Sequence, residues 1–325
     1  MIYETLTEER KAANAESAAK KHKAAYENRK KTFQLCSMCA VPVVLLIIFN
    51  YIPMFGIILA FKDFRFDLGI IGSKWVGIDN FVYLIKSGDF TRILRNTICL
   101  NLLFIFADLV SQVGVALLLD EVRKSWKLKL YQTSMILPHF ISWVIVGYIV
   151  YAILNPQYGV INSLIEKMGG TGINWYNEPK YWPAILTLAR VWKGVGIGCV
   201  TYYACLMGID TSYYEAAAID GATKRQQVWH ITIPSLVPLM TIMTILAIGK
   251  IMRADFGLFY QVSRNAGELY SVTDVMDTYI YRVMRVQGDM TVSSAASFLQ
   301  SVVGCILVLI TNYIVTKIEP DNALF

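Results

Sequence analysis

Residues 210–234 read DTSYYEAAAIDGATKRQQVWHITIP and connect two long apolar blocks of the chain. Three consecutive alanines follow Glu215, and alanine is the strongest helix former because it loses no side-chain entropy in a helix. Ser212 and Glu215 have the spacing of a capping box, in which each side chain bonds to the other residue's backbone N–H. Gly221 lies just after the predicted helix, at the position where a residue in the left-handed conformation commonly ends a helix. The stretch therefore predicts a short rigid helix, a sharp stop and a second helix limited by Pro234.

Six apolar blocks are long enough to cross a bilayer, which needs about 20 residues per helix. They lie at about 35–61, 96–119, 130–154, 183–206, 235–257 and 292–316. Of the 325 residues, 55% are apolar and only 17% are charged, whereas soluble domains carry about 25% charged residues. The composition excludes an ordinary soluble enzyme and predicts an all-α polytopic membrane protein with six transmembrane helices.

Residues 1–33 differ from the apolar blocks because they are rich in Ala, Glu and Lys, which favour helix. Eight Lys and Arg residues precede the first block, and such an excess predicts a cytoplasmic N-terminus. An even number of spans places the C-terminus on the same side. Five glutamates in this segment argue against nucleic-acid binding. The sequence thus predicts a basic helical segment at 1–33 and a transmembrane domain at 34–325.

Charged side chains lie in or near the later blocks, although a charge at bilayer depth costs on the order of 2.5–3.5 kcal/mol. Arg190 and Lys193 lie in the fourth block, and Lys250 and Arg253 lie toward the end of the fifth. Each pair is spaced i, i+3 and would share one helix face. Two interpretations stay open, because such cations either face a wet cavity or a partner, or snorkel to an interface and pair structurally.

Small and helix-breaking residues also interrupt the blocks. Proline lies in the first, third and fifth blocks, at Pro42, Pro53, Pro138 and Pro238. In the fourth block, Gly194 and Gly198 have the small-xxx-small spacing that lets another helix approach closely.

The 210–234 stretch resembles the EAA loop of permease subunits from bacterial ATP-binding-cassette importers. The matching positions are Glu215, Ala216, Ala217, Gly221, Ile231 and Pro234, and Ile233 departs conservatively from the leucine of the family pattern. The added Asp220-Gly221-Ala222 looks like the version found in carbohydrate importers of the maltose type. Asp255–Tyr260 and Asp277–Arg282 look like the multiple-sugar and polysaccharide branch. Together with the Trp75–Phe81 and Asn96-Thr97 regions, the resemblance covers nearly the whole chain after residue 33.

This resemblance implies the type I importer permease fold, six spans with a cytoplasmic coupling helix. In that family the loop lies in a cleft of the cytoplasmic ATPase, where the glutamate meets a cation. The residues implied in ATPase coupling are Glu215, Ala216, Ala217, Asp220, Gly221, Ala222, Ile231 and Pro234. The implied partners are a second, related permease in a heterodimer, two ATP-binding subunits and an extracytoplasmic solute-binding protein. The implied location is the bacterial cell membrane, with lipid around the spans and a sugar as cargo.

The chain offers no catalytic site of its own. It contains no Gly-x-x-x-x-Gly-Lys-Ser/Thr phosphate loop, so ATP and Mg are expected on partner subunits and no cofactor is expected on this chain. Only three histidines are present, and Cys36-Ser37-Met38-Cys39 has no second cysteine pair, so no metal site is predicted. A membrane-embedded transferase is a weaker alternative, since the chain lacks an Asp-x-Asp pair, a His-Glu-x-x-His motif and a serine nucleophile elbow.

The cargo path is expected among aromatic and polar residues of the later spans. The candidates are Arg190, Trp192, Lys193, Tyr203 and Gln300, with Lys250, Arg253 and Asp255 behind them. Helix packing or contact between permeases is the competing interpretation of each. If both cation pairs face the cavity, an acidic oligosaccharide is expected as cargo. A permease for amino acids, phosphate or peptides is the alternative function, and a passive channel is a third, which the docking loop argues against.

Overall fold

The computed structural model describes residues 31–32, 34–122 and 125–318. The segment predicted to be a basic helix, residues 1–33, lies outside the described residues except at positions 31 and 32. The chain forms two compact units, with the boundary between Ile58 and Leu59. The first unit holds most of the first apolar block, and the second unit holds the other five.

Helices make up most of the described chain. They are α1 (Gln34–Phe61), α2 (Asp79–Lys86), α3 (Gly88–Asp120), α4 (Ser125–Ile136), α5 (Trp143–Leu154), α6 (Val160–Lys167), α7 (Trp182–Leu206), α8 (Thr211–Ile219), α9 (Lys224–Gly249), α10 (Met276–Arg282) and α11 (Met290–Ile318). Short helical turns lie at Gly69–Gly72, Leu137–Phe140, Trp175–Asn177, Pro179–Tyr181, Leu258–Val262, Gly267–Leu269, Tyr270–Thr273 and Val283–Gln287. Strands β1 (Lys62–Asp63) and β2 (Lys74–Trp75) pair antiparallel.

Six apolar segments have the length and composition of membrane spans, which confirms the predicted all-α membrane fold. Five are continuous helices: α1, α3, α9, Pro179–Leu206 and Met290–Lys317. The third span is instead a bent pair, Ser125–Phe140 and Trp143–Leu154, whose axes meet at 98°. The break follows Pro138, which lies in a tight 3-10 turn and has no N–H to continue the helical hydrogen bonding.

The fifth span is shorter than the sequence predicts. The apolar block suggested a helix to about residue 257, but α9 ends at Gly249 and the next residues form turns. The expectation that Lys250 and Arg253 share one helix face is therefore wrong. Both side chains are exposed, and both lie beyond the end of the helix.

Helix α3 is the centre of the second unit, because it contributes to all three of its apolar clusters. Phe104 of α3 packs with Trp182 of α7 and with the turn at Leu258–Val262. Nearer its start α3 packs against α2, α10 and α11, and nearer its end it packs against α7 and α9. Inside a bilayer such association depends on close van der Waals packing, since lipid tails are as apolar as the side chains.

A buried ion cluster, which we call the Asp274 cluster, joins the start of α3 to the segment before α11. The side chain of Asp274 is fully buried. Its Oδ2 accepts from Arg282 Nη2 at 2.7 Å and from Arg92 Nη2 at 3.2 Å, and Thr278 Oγ1 lies 3.2 Å from its Oδ1. A carboxylate without water is tolerable only when it is paired in this way.

Two motif residues of α3 reinforce the same connection. Asn96 donates from Nδ2 to the carbonyls of Ser271 and Asp274, both at 3.1 Å. Thr97 Oγ1 accepts from the backbone N–H of Met276 at 2.9 Å. The Asn96-Thr97 region is thus explained by the backbone groups that it satisfies.

Candidate functional site

The 210–234 segment begins with α8, whose first turn is capped by Asp210. Asp210 Oδ1 accepts from the backbone N–H of Ser212 at 2.9 Å, and this hydrogen bond lowers the pKa of the Asp210 carboxyl. The expected capping box between Ser212 and Glu215 is wrong, because the helix starts at Thr211 and Ser212 lies inside it. Asp210 takes the cap position, and aspartate and serine are equally favoured there.

The predicted stop at Gly221 is confirmed. Gly221 has φ of +80°, the left-handed region that only glycine enters without strain. The N–H of Ala222 bonds to the carbonyl of Ala217 at 2.9 Å, and the N–H of Gly221 bonds to Ala218 at 3.1 Å. This pair of hydrogen bonds is a Schellman motif.

The second helix starts at once, with a capping box that was not predicted. Thr223 N–H donates to Gln226 Oε1 at 2.7 Å, and Gln226 N–H donates to Thr223 Oγ1 at 3.4 Å. The spacing Thr-x-x-Gln is the signal that could have found it. The two helices are therefore each fixed by local hydrogen bonds on either side of Gly221.

Side-chain bonds join α8 to α9. The Tyr214 hydroxyl lies 3.0 Å from Thr232 Oγ1, and Gln227 Nε2 donates to the carbonyl of Tyr214 at 3.4 Å. Gln227 and Thr232 are buried. Because these contacts tie the short helix to a membrane-spanning one, the segment can move as one body with α9.

The outer surface of this segment is exposed and presents large apolar side chains among polar and charged ones. Ile219 is 86% exposed and Trp229 is 60% exposed. Among the residues implied in coupling, Glu215, Ala216, Asp220, Gly221 and Pro234 are exposed, whereas Ala217, Ala222 and Ile231 are half-buried. The arrangement provides a protruding helix with a carboxylate at Glu215, suited to docking in a groove.

The second feature is a cavity of about 630 Å³ within the second unit. Its wall includes α3 at Asp108 and Gln112, α7 at Arg190 and Lys193, and the break in the third span from His139 to Trp143. Asp255, in the turn after the fifth span, completes it. Its size lies within the range of pockets that hold small organic ligands, about 300–1,000 Å³.

The Arg190 side chain extends from α7 along the cavity wall and pairs with a carboxylate on α3. Its Nε lies 2.9 Å from Asp108 Oδ2, and its guanidinium stacks 5.1 Å from the centre of the Phe104 ring. Both members of the ion pair are partly accessible from the cavity side.

Lys193 closes the break in the third span. Its Nζ donates to the carbonyl of His139 at 2.6 Å and to the carbonyl of Ile141 at 2.7 Å. Those carbonyls lie at the end of the helix that stops at Phe140, where no further helical turn can satisfy them. The ammonium also lies 5.3 Å from the Trp143 ring centre. Lys193 therefore supplies the donors that the broken helix lacks.

A hydrogen bond between Trp143 and Asp255 connects the break in the third span to the turn after the fifth span. Trp143 Nε1 donates to Asp255 Oδ2 at 2.8 Å, while Asp255 Oδ1 accepts from the N–H of Leu258 at 3.2 Å. The cavity is thus lined by two cations, Arg190 and Lys193, and two carboxylates, Asp108 and Asp255. Their formal charges balance, so this cavity has no excess positive charge.

The other predicted path residues lie outside this cavity wall. Trp192 is exposed on α7, and Tyr203 packs half-buried against the cluster shared by α3, α7 and α9. Gln300 is buried and donates to the carbonyl of Met252 at 2.6 Å and to Asp277 Oδ2 at 3.1 Å. The structure brings Arg190, Lys193 and Asp255 together in the wall of one cavity. Contact of any predicted path residue with cargo stays a prediction.

Of the predicted small-residue pair on α7, Gly198 lies in a close contact and Gly194 does not, while Gly196 provides a further close contact. A Cβ at Gly196 would overlap the backbone of Met135 in α4, and a Cβ at Gly198 would overlap the Gln112 side chain. A Cβ at Gly194, which lines the cavity, would meet nothing within 4 Å. The tight backbone contact therefore depends on Gly196, and Gly194 keeps the cavity open.

Comparison with known proteins identifies the family of this chain. Residues 112–320 match the family described as "Binding-protein-dependent transport system inner membrane component". Protein LplB of Bacillus subtilis (strain 168) is 36% identical over 276 residues, which cover 85% of this chain and 86% of that protein. The polygalacturonan/rhamnogalacturonan transport system permease protein YteP of the same organism is 34% identical, with 85% of each chain covered.

A solved structure agrees with these relatives. A chain of a bacterial ABC transporter involved in the import of the acidic polysaccharide alginate superposes with a TM-score of 0.82 and 30% identity. The match covers 90% of this chain and 99% of that chain. The protein therefore belongs to the family of inner-membrane permease components of binding-protein-dependent transport systems.

Proposed function

We propose that the protein forms half of the translocation pathway of an ATP-driven sugar importer, and that its cargo is an acidic oligosaccharide. The relatives support a saccharide cargo, because YteP is named for polygalacturonan and rhamnogalacturonan transport. The structural neighbour belongs to an importer of alginate, an acidic polysaccharide. Polygalacturonan and alginate share a carboxylate on each sugar unit.

The exposed, doubly capped helix α8 is the observation that carries the proposal. A rigid protrusion tied to a membrane-spanning helix is what a transport subunit needs to receive motion from a soluble motor. Glu215 offers a charge-assisted contact, typically worth about 1.5–3 kcal/mol. ATP and Mg then belong to two partner ATPase subunits, and this chain is a transport subunit without a hydrolytic site.

The remaining partners follow from the same proposal. One chain supplies one docking helix, so a second, related permease pairs with it as a heterodimer above the two ATPases. An extracytoplasmic solute-binding protein delivers the sugar. With α8 facing the ATPases, both termini lie in the cytoplasm.

The test is a double variant, Glu215→Ala with Gly221→Asp, in the complete transporter reconstituted in lipid. We expect loss of sugar uptake and loss of the rise in ATP hydrolysis that the loaded binding protein causes. The reason is that the carboxylate contact and the left-handed helix stop are both removed. The measurement is uptake and ATPase rate on the same vesicles.

Glu166→Ala is the matched control, since Glu166 is an exposed glutamate in the connection between the third and fourth spans. It should leave both rates unchanged. Uptake and stimulated hydrolysis at wild-type levels in the double variant would contradict the proposed coupling.

A further inference from the structure

A second, smaller cavity lies beside the main one and has no assigned role. Its volume is about 200 Å³, below the range typical of pockets for drug-sized ligands. It is lined by Val144, Gly147 and Tyr148 of α5, and by Tyr260, Gln261, Arg264 and Asn265. The main cavity touches the same two segments at Trp143 and Asp255. The small cavity therefore lies about one helical turn along α5 from the Trp143–Asp255 hydrogen bond.

The wall of this cavity is fixed by a backbone contact. A Cβ at Gly147 would lie 2.6 Å from the carbonyl oxygen of Gln261, so α5 and the turn at Leu258–Val262 touch directly. The same turn is held from behind, because the Tyr176 hydroxyl donates to the carbonyl of Val262 at 3.3 Å. The cavity thus has a preformed wall.

Arg264 and Asn265 are held in an unfavourable backbone conformation at its edge. Their φ angles are +54° and +48°, in the left-handed region that side chains rarely adopt. Such a conformation persists only where the surroundings impose it. Here Tyr270 donates from its hydroxyl to Asn265 Oδ1 at 3.1 Å. The fixed turn therefore presents the Arg264 side chain in one place.

The Arg264 guanidinium lies 4.0 Å from the centre of the Tyr151 ring. It forms no ion pair with a carboxylate of the described residues. A guanidinium that is stacked by its face keeps its N–H edge free for a planar, bidentate partner such as a carboxylate. In contrast, Arg190 and Lys193 of the main cavity are already bonded within the protein.

We infer that this small cavity is a subsite for one acidic sugar unit, with Arg264 as the ligand of its carboxylate. The exposed ring of Tyr148 provides a face for stacking on a sugar ring, whereas the Tyr260 ring is itself stacked on Phe256. Gln261 and Asn265 offer amide groups to the sugar hydroxyls. This inference rests on the proposed function and deepens it, because it moves selection for acidic cargo from the charge-balanced main cavity to Arg264.

The test is uptake by the complete transporter, with its partner subunits and binding protein, in lipid vesicles. The probes are trigalacturonate and the same trisaccharide with its carboxylates methyl-esterified. The wild type should import the acid faster at low concentration. Arg264→Gln should raise the half-saturating concentration of the acid about tenfold or more and leave that of the ester unchanged, because a bidentate charge-assisted contact is lost.

Two further variants keep the test decisive. Arg264→Lys retains the charge without the planar fork, and should lie between wild type and Arg264→Gln for the acid alone. Arg65→Gln, which removes a guanidinium that already pairs with Asp67 at 3.0 Å, should change neither probe. The binding protein is the same in every measurement, so differences report on the permease.

The outcomes separate the two claims. Equal losses for acid and ester in Arg264→Gln, or no loss for either, would overturn the subsite while the importer stands. A wild-type transporter that imports neither probe and whose ATPase ignores sugar would overturn the proposed function and the subsite with it.

Discussion

Lys193 shows how a single side chain can hold a broken membrane helix. Its two hydrogen bonds to the carbonyls of His139 and Ile141 replace the N–H groups that a continuous helix would provide. The bond to Ile141 is half-buried and the bond to His139 is exposed, so the loss of both costs less than the roughly 1–3 kcal/mol for each fully buried acceptor. The cation is thus a structural part of the cavity wall as well as a charge beside it.

Lys193→Met should therefore destabilise the protein by about 1 kcal/mol, mainly through the half-buried carbonyl of Ile141. The measurement is thermal unfolding of the purified chain in one detergent, followed by tryptophan fluorescence. Lys193→Arg is the matched control, since it keeps several N–H donors, and it should unfold near the wild-type temperature. A methionine variant as stable as wild type would show that the carbonyls find other partners.

Residue roles were predictable where they depend on near neighbours in sequence. The stop at Gly221 could be predicted, because a Schellman motif involves only a few consecutive residues. The pairing of Arg190 with Asp108 could not, since 82 positions separate them and only the packing of α3 against α7 brings them together. For the same reason, no pattern in the sequence indicates that Lys193 bonds to backbone carbonyls.

At the scale of elements, the contact between α4 and α7 depends on the absence of one side chain. Gly196 meets the backbone of Met135, which cannot move aside as a flexible side chain could. Gly194 lies two residues away on the same helix and faces open space. The two positions therefore form a natural pair for testing close packing.

Gly196→Ala should lower the unfolding temperature strongly and reduce the yield of folded protein, because α4 and α7 must separate. Gly194→Ala should be neutral or slightly stabilising, since alanine is favoured over glycine in a helix by about 1 kcal/mol. Size-exclusion profiles and unfolding curves of the two variants provide the comparison. Similar behaviour of both would mean that helix propensity, and not contact, controls this interface.

The elements themselves were largely predictable from hydropathy, but their interruptions were not. Apolar length alone identifies six spans, whereas the 98° bend at 140–143 depends on Pro138 together with donors from another helix. The turn after Gly249 was not predicted, because apolar residues at 251, 252, 254 and 256 extended the block although three charged residues lie among them. Hydropathy measures the solvent that a segment prefers and carries little information on where its axis changes direction.

For the whole molecule, the Asp274 cluster is the main polar link between the start of α3 and the segment 270–282. Asp274 has no exposed side-chain area and bonds to two arginines. Removing one member of a buried ion pair costs about 3–5 kcal/mol, because its partners stay behind without compensation.

Asp274→Ala should accordingly lower the free energy of unfolding by about 3 kcal/mol or more. Asp67→Ala is its control, because the Arg65–Asp67 pair is exposed and such pairs contribute about 0–1 kcal/mol. Denaturant titration in a fixed detergent measures both. An equal, small effect of the two substitutions would show that the buried cluster adds nothing to stability.

The bent third span also constrains how the polypeptide can be made. Its halves, Ser125–Phe140 and Trp143–Leu154, would each be shorter than the roughly 30 Å hydrocarbon layer at 1.5 Å per residue. Lipid offers no hydrogen-bond donors to carbonyls exposed at the bend. The ammonium that satisfies them arrives only when Lys193 emerges from the ribosome. The insertion machinery must therefore shield the third segment from lipid until the fourth segment has been made. The two segments then enter the bilayer together.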